Sequence, residues 1–354
     1  MSAPKKIETV SLSHHTGKAD VTVSLFGATV TSWKMFNQNL LFMSKNAVMD
    51  GSKPIRGGIP LVFPQFGPGS GANALPQHGF ARTQMWTFEG EEHDVSTGDC
   101  TGTFRLVANE ETRAMWPHEF ELLYMVRVGM SNITTQLTCR NTGDSAFDFT
   151  ALLHTYFHVD GIDKATVTGL ANLSYKDKVR NNGTYKQSIP VVVFEDEVDR
   201  VYLRGGAVDA AGRVRADGLV AVGDGGNCDI VMRSVNMPDV VVWNPGHKKG
   251  AAMADLHEDA WKEFVCVEAG SVSTPVSLAP GAQWSAGQSL TLRILAATGE
   301  ELKNKMTGQE PIQVQQQPAE AENNYTKLDR IGNFGAKKDA NADANADANA
   351  AEKK

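Results

Sequence analysis

Four runs of the chain set ionisable or polar side chains among apolar residues and glycines. In the first, Arg56-Gly57-Gly58-Ile59-Pro60-Leu61-Val62-Phe63-Pro64, a guanidinium stands beside backbone that can adopt φ > 0 and lie close to a ligand. The second, Leu75-Pro76-Gln77-His78-Gly79-Phe80-Ala81-Arg82, wedges an amide, an imidazole and a second guanidinium between bulky groups. The third is Leu152-Leu153-His154-Thr155-Tyr156-Phe157-His158 and the fourth Phe264-Val265-Cys266-Val267-Glu268-Ala269-Gly270. Read as one strand, 147–159 puts Phe147, Phe149, Ala151, Leu153 and Phe157 on one face and His154, Tyr156 and His158 on the other. Phe264, Cys266 and Glu268 likewise share a face, so a carboxylate ends a largely buried strand, where it is costly unless paired or used. An imidazole and a carboxylate placed this way could move protons. Each also has a structural alternative: a hydrogen-bonded core histidine, a salt-bridged strand end, a surface arginine.

Other chemistries leave no trace. The chain has no HExxH or similar ligand spacing, no GxSxG, no P-loop and no dinucleotide fingerprint. Cys100, Cys139, Cys228 and Cys266 are scattered without a CxxC pair, so neither a disulfide framework nor a zinc site is expected. The expectation is a protein without metal or cofactor. A net charge of −7 argues against nucleic acid as a partner but not against a small anion held by local arginines. No apolar run is long enough to span a bilayer, and the first residues lack the apolar core of a secretory signal. A monomeric cytoplasmic protein is expected, with organelle import left open.

Catalytic groups need elements to hold them. Segments such as Val21–Phe26, Leu122–Val128, Thr134–Cys139, Val240–Trp243 and Leu290–Leu295 are rich in β-branched and aromatic residues and are separated by turn signals. Long amphipathic helical stripes are missing. The pattern predicts an all-β fold, a large antiparallel β-sandwich, as one domain over residues 1–299. Residues 300–354 are polar and include three Asp-Ala-Asn-Ala repeats, which predicts a disordered tail with no apolar face to bury.

Taken together, the runs resemble the aldose 1-epimerase superfamily, and within it the glucose-6-phosphate 1-epimerase branch. The resemblance rests on RGGIPLVFPQFG from Arg56, LPQHGFAR from Leu75, LLHTYFHV from Leu152, VVWNPG from Val241, and the VEAG and SLAPG elements around Glu268 and Pro280. It implies a galactose mutarotase-like supersandwich and a metal-free mechanism on a small hexose 6-phosphate, with His154 as acid and Glu268 as base. It also implies that Arg56 and Arg82 clamp the phosphate, that Gln77 and His78 bind sugar hydroxyls, and that Asp199 binds the sugar, with Asp196 as an alternative alignment. Three other readings stay open: a general aldose 1-epimerase on unphosphorylated sugars, a non-catalytic carbohydrate-binding sandwich, and a two-carboxylate hydrolase, for which Glu268 lacks an obvious partner.

Overall fold

A computed structural model describes residues 7–69, 74–205, 218–224 and 228–294. The polar segment 300–354 lies outside the described residues. Among the described residues, strands form sheets of four, eight and nine members, and every strand pairing within them is antiparallel. The fold is a large antiparallel β-sandwich. Among the described residues the named helical elements are short: the α-helices Glu110–Met115 and Gly246–Ala252 and the 3-10 turns Ala81–Thr83 and Ala260–Lys262.

Alternation builds the layers. Along Phe120–Val128 every second residue is buried, the signature of a strand with one face on the core and one toward water. One continuous core takes Val21 and Trp33 from the four-stranded sheet, Leu122, Leu137 and Leu290 from the nine-stranded sheet, and Val240, Val265 and Val267 from the eight-stranded sheet. The eight-stranded sheet has apolar residues on both faces. On its other face Leu152, Tyr156, Val241, Trp243, Phe264 and Cys266 form a second, smaller cluster. The site lies on that second face. The strand Phe264–Leu278 lies between neighbours within this sheet, and its first eight residues are all buried.

The third run is not one strand. It forms Phe147–Leu153 and Tyr156–His158, interrupted at His154 and Thr155. The interruption has a cause. His154 donates its backbone N–H to the Pro60 carbonyl at 3.0 Å and Tyr156 donates to Gly58 at 2.9 Å. Buried Thr155 turns toward Gln288, which donates to its hydroxyl at 2.8 Å. The Arg56–Pro60 backbone is held on its other edge as well: Gly58 donates to Phe42 at 2.8 Å and Ile59 to Val30 at 2.9 Å. Gly58 carries φ +67°, and a Cβ there would drive into the Val30 carbonyl oxygen. Only glycine allows this double stitching.

Gly58→Ala is therefore expected to destabilise the protein by about 2–4 kcal/mol, from left-handed strain plus steric displacement. Urea unfolding checks this: an unchanged midpoint would mean that the Arg56–Pro60 backbone is not fixed from both sides.

Candidate active site

Strand register assembles the central pair. Leu153 pairs with Ala269 and Tyr156 with Cys266 across two antiparallel strands, so the intervening His154 falls opposite Glu268. Their side chains meet, with His154 Nδ1 3.4 Å from Glu268 Oε1. The same cross-strand row continues through the sheet: Cys266 faces Trp243, and Trp243 faces Asp199. Residues directly opposite one another, and residues two apart on one strand, point to the same side. His154, Tyr156, Cys266, Glu268, Trp243 and Asp199 therefore share one face. The Tyr156 ring stacks on His154 with centroids 4.8 Å apart and planes 11° from parallel, and Trp243 meets it edge-on.

Both members of the pair are enclosed, with His154 7% and Glu268 1% exposed. The contact between them is not aligned as a hydrogen bond, and His154 Nδ1 and Glu268 Oε2 have no hydrogen-bond partner. Burial pushes the Glu268 carboxyl well above the usual carboxylate range; Lys178 and Arg82 pull it back, while Asp199 adds to the rise. Burial pushes His154 well below the usual imidazole range, and the neighbouring His78, Arg82 and Arg56 add to that fall. Both groups thus lean toward their neutral forms.

Three cations surround it. Arg56 is committed: Nε and Nη2 reach Asp255 Oδ2 at 3.0 and 2.9 Å, and Nη1 donates to the Tyr156 hydroxyl at 2.8 Å. Burial would lower its pKa, but Tyr156 and Asp255 more than offset that and hold it charged. Lys178 lies 3.4 Å from Asp199 and over the Phe66 ring at 4.1 Å. Arg82 stands at a 3-10 turn, Ala81–Thr83, and donates from Nη2 to the Gln77 carbonyl at 2.7 Å. Its Nε is buried without a partner. Burial, and then the neighbouring Arg56, lower the Arg82 guanidinium to about 10. No carboxylate among the described residues forms an ion pair with it.

His78 sits at φ +68°, followed by Gly79 at φ +69°, which reverses the chain and turns the ring toward His154, 5.7 Å away. The Gly67 N–H donates to His78 Nδ1 at 3.2 Å, so the neutral ring carries its proton on Nε2; Gln77 Nε2 lies 3.3 Å from that atom, and a hydrogen bond between them requires the Gln77 amide to be turned so that its oxygen accepts. Burial first, then Arg82, Lys178 and Arg56, lower His78 to about 3. Gln77 itself is exposed at the rim. Asp199 lies on the site face, with burial raising its pKa, whereas Asp196 is exposed and accepts from the Glu197 N–H at 2.8 Å.

The structure thus brings His154, Glu268, Arg56, Arg82, His78 and Asp199 together around one sheet face, with exposed Gln77 beside them. Residues not foreseen as site members are Lys178, Asp255, Tyr156, Trp243 and Cys266. Trp243 lay in a quoted motif, and Tyr156 and Cys266 shared the expected faces. Lys178 and Asp255 carried no local signal. For a metal, one donor atom each from His154, Cys266 and Glu268 lie within 4.8 Å of one another, as do atoms of Glu91, His93 and Cys100 on a separate hairpin.

The fold and the site define an antiparallel β-sandwich with an enclosed imidazole–carboxyl pair among cations. The comparisons make the particular assignment: the aldose 1-epimerase family pattern matches residues 8–291, and the chain belongs to that family. A Cenchrus ciliaris protein named "Putative glucose-6-phosphate 1-epimerase" is 35% identical over 270 residues, 74% of this chain and 78% of that one. An Escherichia coli protein of the same name is 34% identical over 264 residues, 74% of this chain and 83% of its own. The crystal structure of a "putative mutarotase" from Salmonella typhimurium superposes with a TM-score of 0.72 at 29% identity, covering 82% of this chain and 91% of that one.

The histidine environment generates a test. An imidazole held near 3 when folded and near 6.5 when unfolded binds its proton only in the unfolded chain between those values. Stability therefore falls as pH drops below about 6.5, by at most about 1.4 kcal/mol per pH unit for one proton. His78→Asn should flatten the slope of stability against pH between pH 4 and 6.5, measured by urea unfolding; an unaltered slope would mean the ring is not held neutral.

Proposed function

We propose that the protein interconverts the α and β anomers of hexose 6-phosphates, chiefly glucose 6-phosphate, with Glu268 and His154 as the acid–base pair. The observation that carries the phosphate is Arg82, a half-buried guanidinium whose Nε is buried and unpartnered, with no paired carboxylate among the described residues and a depressed pKa. A phosphate dianion supplies the missing acceptor and counter-charge together. Arg56, already tied to Asp255, contributes charge and holds Tyr156 against His154 more than it offers free donors.

The reaction follows from a hemiacetal between an acid and a base. Glu268 takes the proton from the anomeric hydroxyl as the C1–O5 bond breaks, and His154 delivers a proton to the ring oxygen. The electron pair of the C1–O5 bond passes to O5, and the O–H pair becomes the carbonyl of the open aldehyde. Rotation about C1–C2 and the reverse transfers close the other anomer. The working state, carboxylate plus imidazolium, differs from the neutral pair by one proton moved between them. Arg82 and Lys178 favour the carboxylate side of that transfer. Asp199, Gln77 and His78 are assigned to the sugar hydroxyls, and the neutral His78 presents a single N–H.

Anomer exchange measured by NMR saturation transfer on glucose 6-phosphate is expected to fall by about 10²–10⁴-fold in both His154→Ala and Glu268→Gln. Folded wild-type protein that fails to accelerate exchange would sink the enzyme reading in favour of a sugar-phosphate-binding sandwich. Arg82→Ala should raise KM for glucose 6-phosphate by about 10–100-fold, the worth of a charged hydrogen bond, and lower kcat/KM far more for glucose 6-phosphate than for free glucose. Equal losses on both sugars would instead favour a general aldose 1-epimerase.

A further inference from the structure

We infer that His154, Cys266 and Glu268 form a site for a thiophilic divalent ion of the zinc class, and that its occupancy blocks catalysis. Strand register puts the three together, since Cys266 precedes Glu268 by two residues on one strand and His154 faces Glu268 from the next. One imidazole nitrogen, the thiol sulfur and one carboxylate oxygen lie within 4.8 Å of one another, and all three residues are buried. A tetrahedral zinc with bonds of about 2.0–2.3 Å sets its ligand atoms about 3.3–3.8 Å apart, so side-chain shifts of about 1 Å close the set.

The imidazole and the carboxyl each keep a buried atom free: His154 Nδ1 and Glu268 Oε2 have no hydrogen-bond partner among the described residues, so a metal bound through those atoms breaks no hydrogen bond. The stack on Tyr156 and the edge of Trp243 already fix the ring orientation. The surrounding Arg56, Arg82 and Lys178 argue against a hard ion held by charge alone. A thiolate ligand changes the balance: the ion displaces the thiol proton and the carboxyl proton to solvent, so two charges enter as two leave. The site's net charge is then unchanged. Sulfur, nitrogen and oxygen in one three-member set favour Zn²⁺, Cd²⁺ or Co²⁺ over Mg²⁺ or Ca²⁺. Three protein ligands leave a fourth position for water or a sugar oxygen.

Inhibition follows because the ion occupies the lone pairs that would move protons. This consequence rests on the proposed role of His154 and Glu268; the binding itself does not. The full chain, stripped with EDTA and titrated with Co²⁺, should bind one ion with a thiolate-to-cobalt charge-transfer band in the near ultraviolet. That band should vanish in Cys266→Ala and Cys266→Ser and persist in Cys100→Ala, which disables the hairpin cluster of Glu91, His93 and Cys100. Zn²⁺ should inhibit anomer exchange, with the inhibition constant rising by about 10–100-fold in Cys266→Ala relative to wild type. The absence of the band in wild type overturns the site, as does a band lost in Cys100→Ala rather than in the Cys266 variants. If exchange is fast and cobalt binds through Cys266 without slowing it, the ligand assignment to His154 and Glu268 is overturned. If wild type shows no exchange at all, the mutarotase reading fails while the band still decides the metal site.

Discussion

A carboxyl group buried beside an imidazole is the constraint around which the site is arranged. Glu268 and His154 face each other because two antiparallel strands keep one register on both sides of the interruption at His154–Thr155. Removing a carboxylate from water costs several kcal/mol even after relaxation, and an unpaired imidazolium suffers similarly. Neutral forms on both sides keep that cost low, since burial pushes the carboxyl up and the imidazole down. Everything nearby adjusts that balance. Tyr156 and Trp243 wall the ring, and Lys178 and Arg82 lower the cost of the carboxylate.

The charges around the pair form an incomplete set. Arg56 is matched by Asp255 and Lys178 by Asp199. Among the described residues Arg82 has only a backbone carbonyl as acceptor and keeps a buried donor unused. A protein of net charge −7 thus maintains a local site short of negative charge, because burial strengthens nearby interactions and weakens the influence of the distant surface. Burial, and then the same cations, depress His78, so a ring in direct view of the pair stays neutral.

Much of the fold was legible in alternation. The expected β-rich segments lie within or close to observed strands, such as Phe120–Val128 and Asn132–Asn141, because a half-buried strand must repeat every two residues. The all-β class followed from the same pattern. The apolar run around His154 was harder to read. A continuous strand was expected there, and the observed interruption depends on Pro60 and Gly58 carbonyls supplied from about a hundred residues away. Lys178 and Asp255 were invisible for a related reason: each is one charged residue in a polar stretch, and only the chain path brings it to the cleft.

The residue types themselves established the apolar and glycine-rich settings of His154, Glu268, Arg56 and Arg82, and the shared face of Cys266 and Glu268, since side-chain alternation along a strand is a local property. Local order could not say that His154 would stand across from Glu268, that Arg56 would be bound by Asp255, or that Arg82 would be left without a partner. Those outcomes depend on register and on which strands become neighbours. Both are set by the burial of a two-faced sheet between distant segments, and no window of adjacent residues contains that information.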